Sequence, residues 1–223
     1  MFSGAEVERD PASAAGVTAD RASVSVAATP AGLTVPSGSV QGHPRTHPVD
    51  AWTASADHLG GPYTDKTVRN IVHTSIGGVG VQVRLSNAFG TGPVTFDSVY
   101  LSRQSAGAGL VAGSNHPVKF GGSTTVTIPK GAEALSDPVA VALPAQATLA
   151  VSVHVSGDTG EVTGHSLAEQ DSYYSDGNTA SDESAASYVY PTANWFWLDA
   201  VLVQATAKTG TIAALDDSIT DGY

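Results

Sequence analysis

Ser218 stands in the block Asp216-Asp217-Ser218-Ile219-Thr220-Asp221-Gly222, directly after the apolar run Thr211-Ile212-Ala213-Ala214-Leu215. The run reads as a short buried strand and the block as an abrupt polar turn. A serine held on a tight turn at the C-terminal end of a strand presents its hydroxyl to a substrate. Backbone N–H groups opening a following helix can then stabilise a developing oxyanion. The chemistry this arrangement suits is acyl transfer through a serine nucleophile. It is not the Gly-x-Ser-x-Gly elbow, because no glycine flanks Ser218 on that pattern.

A serine hydroxyl needs a base within hydrogen-bond reach, itself oriented by a third group. His73 and His154 lie inside strand patterns and His165 lies in the loop Gly164-His165-Ser166, so each reads as a hydrogen-bonded or surface imidazole. No triad is expected within these residues. His43 and His47 each precede a proline, with no carboxylate or thiol close by, and read as loop residues, not metal ligands. The acidic stretch Asp171, Asp176, Asn178, Asp182 and Glu183 lacks the alternating spacing of a calcium loop and reads as solvated. No metal site and no cofactor is expected.

A second chemistry is carried by aromatic residues. Tyr188, Tyr190, Trp195, Phe196 and Trp197 cluster in the sequence, and on one continuous strand Trp195 and Trp197 would share a face opposite Phe196 and Leu198. One pair should enter the core and the other should be exposed or covered. Exposed tryptophans could stack on sugar rings, or pack against another domain.

The elements that must position these residues are strands. Gly80–Ser86 alternates Val81, Val83 and Leu85 with Gln82, Arg84 and Ser86, one face buried and one wet. Thr67–Ser75 precedes it across Ile76-Gly77-Gly78-Val79, a hairpin-like connection. Further strands are expected at Val94–Ser102, Thr124–Ile128, Val139–Leu143, Thr148–Val155 and Trp195–Gln204, with one more around Ala22–Ala28. Turn residues punctuate them at Asn87-Ala88-Phe89-Gly90, Gly121-Gly122, Pro129-Lys130-Gly131 and Ser156-Gly157-Asp158. The spacing is that of an all-β sandwich.

Composition agrees. Of 223 residues, 41% are hydrophobic and only 14% charged, with 24 glycines and 12 prolines, which suits many short strands joined by turns. A net charge of −11 with only 10 basic residues argues against a nucleic-acid partner. No apolar run approaches the ~20 residues of a membrane-spanning helix. Cysteine is absent, which excludes disulfides and thiolate chemistry. The first residues carry no basic segment followed by an apolar one, so no signal peptide is visible.

The block Asp217-Ser218-Ile219-Thr220-Asp221-Gly222 resembles the first signature block of the SGNH/GDSL hydrolases, Gly-Asp-Ser-x-Thr-x-Gly. Thr67–Gly78, Val83–Gly90, Lys119–Gly122, Ile128–Ala132 and Ser136–Val139 are similar, in the same order, to the N-terminal region of a bacterial, secreted group of that family. Asp216 departs from it, standing where the family has glycine. The resemblance implies a β-sandwich or jelly-roll accessory domain ahead of the catalytic one. It implies that Ser218 is the nucleophile and its N–H an oxyanion donor in a cofactor-free, lipase- or esterase-like hydrolysis of carboxylic esters. It also implies secretion.

In the family the base comes from an Asp-x-x-His block, and the other oxyanion donors are a glycine and the asparagine of a Gly-x-Asn-Asp block. Neither block follows Ser218 in these residues. The expected organisation is a flexible Ala/Ser/Pro-rich leader at 1–50, an accessory β-sandwich at 51–209, and at 210–223 the start of a truncated SGNH domain, inactive by itself. The alternative is a free-standing carbohydrate-binding or protein-interaction module using Trp195 and Trp197.

Overall fold

The computed structural model describes residues 46–205 and 209. The expected strands at 22–28 and 211–215, along with His43, Asp216 and Ser218, lie outside the described residues. Within them every regular element is a strand and none is a helix.

In chain order the strands are β1 (His47–Thr53), β2 (Asp57–His58), β3 (Lys66–His73), β4 (Gly78–Ser86), β5 (Val94–Ala106), β6 (Gly109–Leu110), β7 (His116–Pro117) and β8 (Val126–Ile128). They continue with β9 (Glu133–Leu135), β10 (Val139–Leu143), β11 (Thr148–Val155), β12 (Thr163–His165), β13 (Ser172–Asp176), β14 (Tyr190–Thr192), β15 (Trp195–Phe196) and β16 (Leu198–Ala205). One sheet runs β1-β16-β4-β10 with β9 on β4, and a second runs β14-β13-β3-β11-β5-β6 with β7 and β8 also on β5. A small third sheet, β15-β12-β2, completes the set. Each named strand pair in these sheets is antiparallel.

The alternation in β4 does what its period dictates. Val81, Val83 and Leu85 are fully buried and meet Val201 and Val203 of β16 in one apolar cluster. Across the core, Val68 and Val72 of β3, Leu149, Val151 and Val153 of β11, and Phe96, Val99 and Leu101 of β5 belong to the same cluster. Burial of a side chain of this size contributes about 1.5–3 kcal/mol. The two larger sheets are therefore sandwiched about a shared interior.

Strands β3 and β11 are buried along almost their whole length. Their inner residues face the core, while Ile71 and Ala150 on the other face are covered by Leu110 and Tyr173. Arg69, fully buried, sits on that covered face. Its Nε donates to Ser152 Oγ at 2.9 Å, Nη1 to the Ala108 carbonyl at 2.5 Å and Nη2 to the Asp182 carbonyl. The guanidinium also lies 3.8 Å from the centre of the Tyr188 ring, a cation–π contact. One side chain thus ties the β5–β6 turn and the long β13–β14 connection onto the sheet.

Three expectations are corrected. The connection 76–79 does not make a hairpin, because β3 and β4 join different sheets. It crosses the end of the sandwich so tightly that a Cβ on Gly77 would lie 2.4 Å from the Leu143 carbonyl oxygen. Residues 47–50, read as leader, belong to β1, which pairs with β16. Only Val49 and Ala51 of that strand are fully buried, too short an alternation to stand out beside the histidines and prolines around it. The run Trp195–Gln204 is two strands, divided at Trp197, whose φ is +57°.

Candidate functional site

That division decides what the aromatic residues can do. A residue with positive φ breaks the two-residue alternation, so successive side chains no longer point to opposite faces. Phe196 and Trp197 both enter the core, at 2% and 1% exposure. Trp197 meets Phe96 edge-on at 5.4 Å between ring centres, and Tyr63 at 6.4 Å. Its N–H donates to the Thr163 carbonyl and its carbonyl accepts from the Ser86 N–H, so its backbone joins the first and third sheets. Its indole Nε1 is buried without a hydrogen-bond acceptor.

Trp195 stays half-buried at the domain end. Its Nε1 donates to the Ile71 carbonyl at 2.7 Å, the Trp52 ring meets it edge-on at 4.8 Å, and the His165 ring stacks on it at 5.4 Å. His165 Nδ1 in turn lies 2.9 Å from the Ser55 carbonyl oxygen. The shared face of Trp195 and Trp197 does not form, and with it goes the flat two-ring platform that a sugar would stack upon.

The three candidate bases, His73, His154 and His165, are held by contacts within the described residues. His73, at the exposed end of β3, has Nδ1 3.1 Å from Thr148 Oγ1 and Nε2 3.1 Å from Gln146 Oε1. His154, 3% exposed, has Nδ1 2.5 Å from Asp97 Oδ1 and Nε2 3.2 Å from Asp65 Oδ1. An imidazole with both nitrogens engaged has none to turn toward a serine hydroxyl. His47 is exposed at the start of β1.

Part of the acidic stretch is engaged in structure. Asp176 is ion-paired with Lys66. Glu183 Oε1 accepts from the Gly113 N–H at 2.8 Å, and the Asp182 carbonyl serves Arg69. Among the described residues no group of three or more His, Asp or Glu side chains is placed to hold a metal ion.

Compared with known proteins, the chain matches no family model and no curated protein.

Two buried charges carry no role in the sequence reading, Arg69 and Asp199. Each interrupts an apolar run, Val68-Arg69-Asn70-Ile71-Val72 and Leu198-Asp199-Ala200-Val201, and that interruption is the signal that such a residue needs internal partners. Burial lowers the Arg69 pKa, opposed by the Tyr188 ring and the Asp182 charge.

Asp199 Oδ1 accepts from Arg84 Nε at 2.9 Å, and Glu133 Oε2 lies 3.5 Å from the same nitrogen. Burial pushes its carboxyl from 3.8 up to about 6, against the pull of Arg84 and with the help of Glu133. The folded state therefore binds this proton more tightly than the unfolded chain. The Asp199 contribution to stability is complete below pH 3.8 and is lost as the pH rises to about 6. Asp199→Asn keeps an acceptor for Arg84 but cannot ionise. Between pH 4 and 7 the variant is expected to gain on the unmodified chain by roughly 1–2 kcal/mol in urea unfolding, after allowance for solvent screening. An unchanged difference between the two across that range would refute the assignment.

Proposed function

We propose that the β-sandwich of residues 46–205 is the accessory domain of an SGNH-type serine ester hydrolase, with Ser218 as the nucleophile and carboxylic esters as substrates. The observation that carries this reading is order. The landmarks at 67–78, 83–90, 119–122, 128–132 and 136–139 all fall within an antiparallel all-β domain, and the Ser218 block comes after β16, the last strand among the described residues. Strand β16 is paired on both sides, by β1 and β4, so the segment leading to Ser218 departs from a fixed strand and not from a free end. A jelly-roll arrangement of the sandwich and secretion of the protein belong to the same reading.

The engaged nitrogens of His73 and His154 support a division of labour in which the base is supplied by the hydrolase domain and the sandwich only positions it. Reading the gene beyond the Tyr223 codon tests this. In-frame Gly-x-Asn-Asp and Asp-x-x-His blocks are expected. In the product containing them Ser218→Ala should lower hydrolysis of p-nitrophenyl butyrate by at least about 10³-fold, whereas the 223-residue chain should turn over no faster than its own Ser218→Ala variant. A gene without those blocks, or turnover by the 223-residue chain that depends on Ser218, would sink the reading.

A further inference from the structure

Arg84 stands in β4 between two strands, opposite Ala200 of β16 on one side and opposite Leu135 of β9 on the other. Asp199 of β16 and Glu133 of β9 reach the same Nε, at 2.9 and 3.5 Å. That nitrogen carries a single hydrogen, so it cannot serve both acids equally. A third acid, the exposed Asp50 of β1, also acts on the Arg84 charge. Three carboxylates thus face one guanidinium.

The two partners of Arg84 are not alike. Asp199 is buried and fixed by its place in the strand: it falls at the register shift between Leu198 and Ala200, and its carbonyl accepts from the Ala54 N–H at 3.1 Å. Glu133 is 48% exposed and opens β9, a strand of three residues paired with β4. Two carboxyl groups held this close repel unless one of them carries a proton, and a protonated carboxyl can donate to its neighbour. Burial and the Glu133 charge push Asp199 toward the protonated form, with a pKa of about 6. Loss of that proton leaves two like charges to share one N–H. Only Glu133 has water to turn into.

We propose that Asp199, Arg84 and Glu133 form a proton-operated clasp on β9, closed in acid, when Asp199 donates to Glu133 and Arg84 holds both, and open near neutrality, when the ionised pair parts and Glu133 swings into solvent. Opening removes the Glu133 tie and leaves β9 its ladder to β4 and the packing of Ala134 on the core. Because opening is linked to loss of a proton, it rises with pH and levels off once Asp199 is ionised, above about pH 6. The clasp does not involve Ser218, so it stands or falls separately from the hydrolase reading.

Amide hydrogen exchange of the 223-residue chain, corrected for the intrinsic pH dependence of exchange and read at residues 131–137 against β11, tests it. Protection around β9 is expected to fall at least about fivefold between about pH 4 and about pH 7, while β11 keeps its own. Asp199→Asn, whose amide donates to Glu133 at every pH, should hold β9 protected throughout. Glu133→Gln, at an exposed position, removes the like charge and donates to the ionised Asp199, so it should flatten the dependence too and serves alone if the first variant fails to fold. Near-ultraviolet circular dichroism verifies the fold of both. Protection of β9 indifferent to pH, a pH dependence that persists in either variant, or an equal loss of protection in β11 would each overturn the proposal.

Discussion

Trp197→Ala is expected to destabilise the sandwich by about 3–5 kcal/mol, the range found when a large aromatic side chain is removed from a packed core. Trp197 is only 1% exposed and fills the space among Phe96, Phe196 and Tyr63, with ring centres 5.4, 5.9 and 6.4 Å away. Its backbone binds both to the third sheet, through the Thr163 carbonyl, and to the first, through the Ser86 N–H. Loss of the ring therefore loosens a junction as well as emptying a volume.

Two features of the same residue act in the opposite direction. Its φ of +57° is costly for any residue with a Cβ, by about 1–3 kcal/mol, and its Nε1 is a buried donor without an acceptor. Trp197→Phe removes the orphaned donor while keeping a ring, and should cost clearly less than Trp197→Ala. Urea unfolding followed by circular dichroism distinguishes the two. A loss under about 1 kcal/mol for Trp197→Ala would mean that the junction is not built on this residue.

Arg69→Met is expected to cost about 2–5 kcal/mol, chiefly from the buried acceptors it leaves unpaired. The substitution keeps much of the volume but strands two buried acceptors, Ser152 Oγ and the Ala108 carbonyl, and releases the part-buried Asp182 carbonyl. Each stranded group carries a desolvation penalty of about 1–3 kcal/mol. The contact with the Tyr188 ring is lost as well. Arg69→Lys should recover only part of the loss, because an ammonium cannot reproduce the guanidinium fork that spans these partners.

The damage should also be local in character. Hydrogen exchange is expected to accelerate first at the β5–β6 turn and across residues 177–188, the segments that Arg69 holds to the sheet, while amides of β4 and β16 on the other sheet stay protected. Uniform acceleration through both sheets would show that Arg69 supports the core as a whole and not its covering.

The strands were legible wherever one face is wet. In β4 the alternation of valine and leucine with glutamine and arginine marks both the element and its buried side. In β3 and β11, covered on both faces, the apolar runs still read as strands, yet nothing local says what lies on the second face, because the covering comes from residues 108–110 and 173–188. The candidate platform of Trp195 and Trp197 was misread for a related reason. Alternation presumes an unbroken strand, and the break at Trp197 is imposed by the meeting of two sheets.

What the sequence determined by itself is the kind of element and its inward face, with period two and turn residues agreeing on an all-β chain. The tertiary structure alone decided which strands are neighbours. Strand β1 lies against β16, and β3 and β4, adjacent in the chain, lie in different sheets. The physical reason is range. A side chain's preference for a pleated, half-buried surface is read from its nearest neighbours, whereas pairing is settled by hydrogen bonds and packing between residues that meet only when the whole sandwich closes.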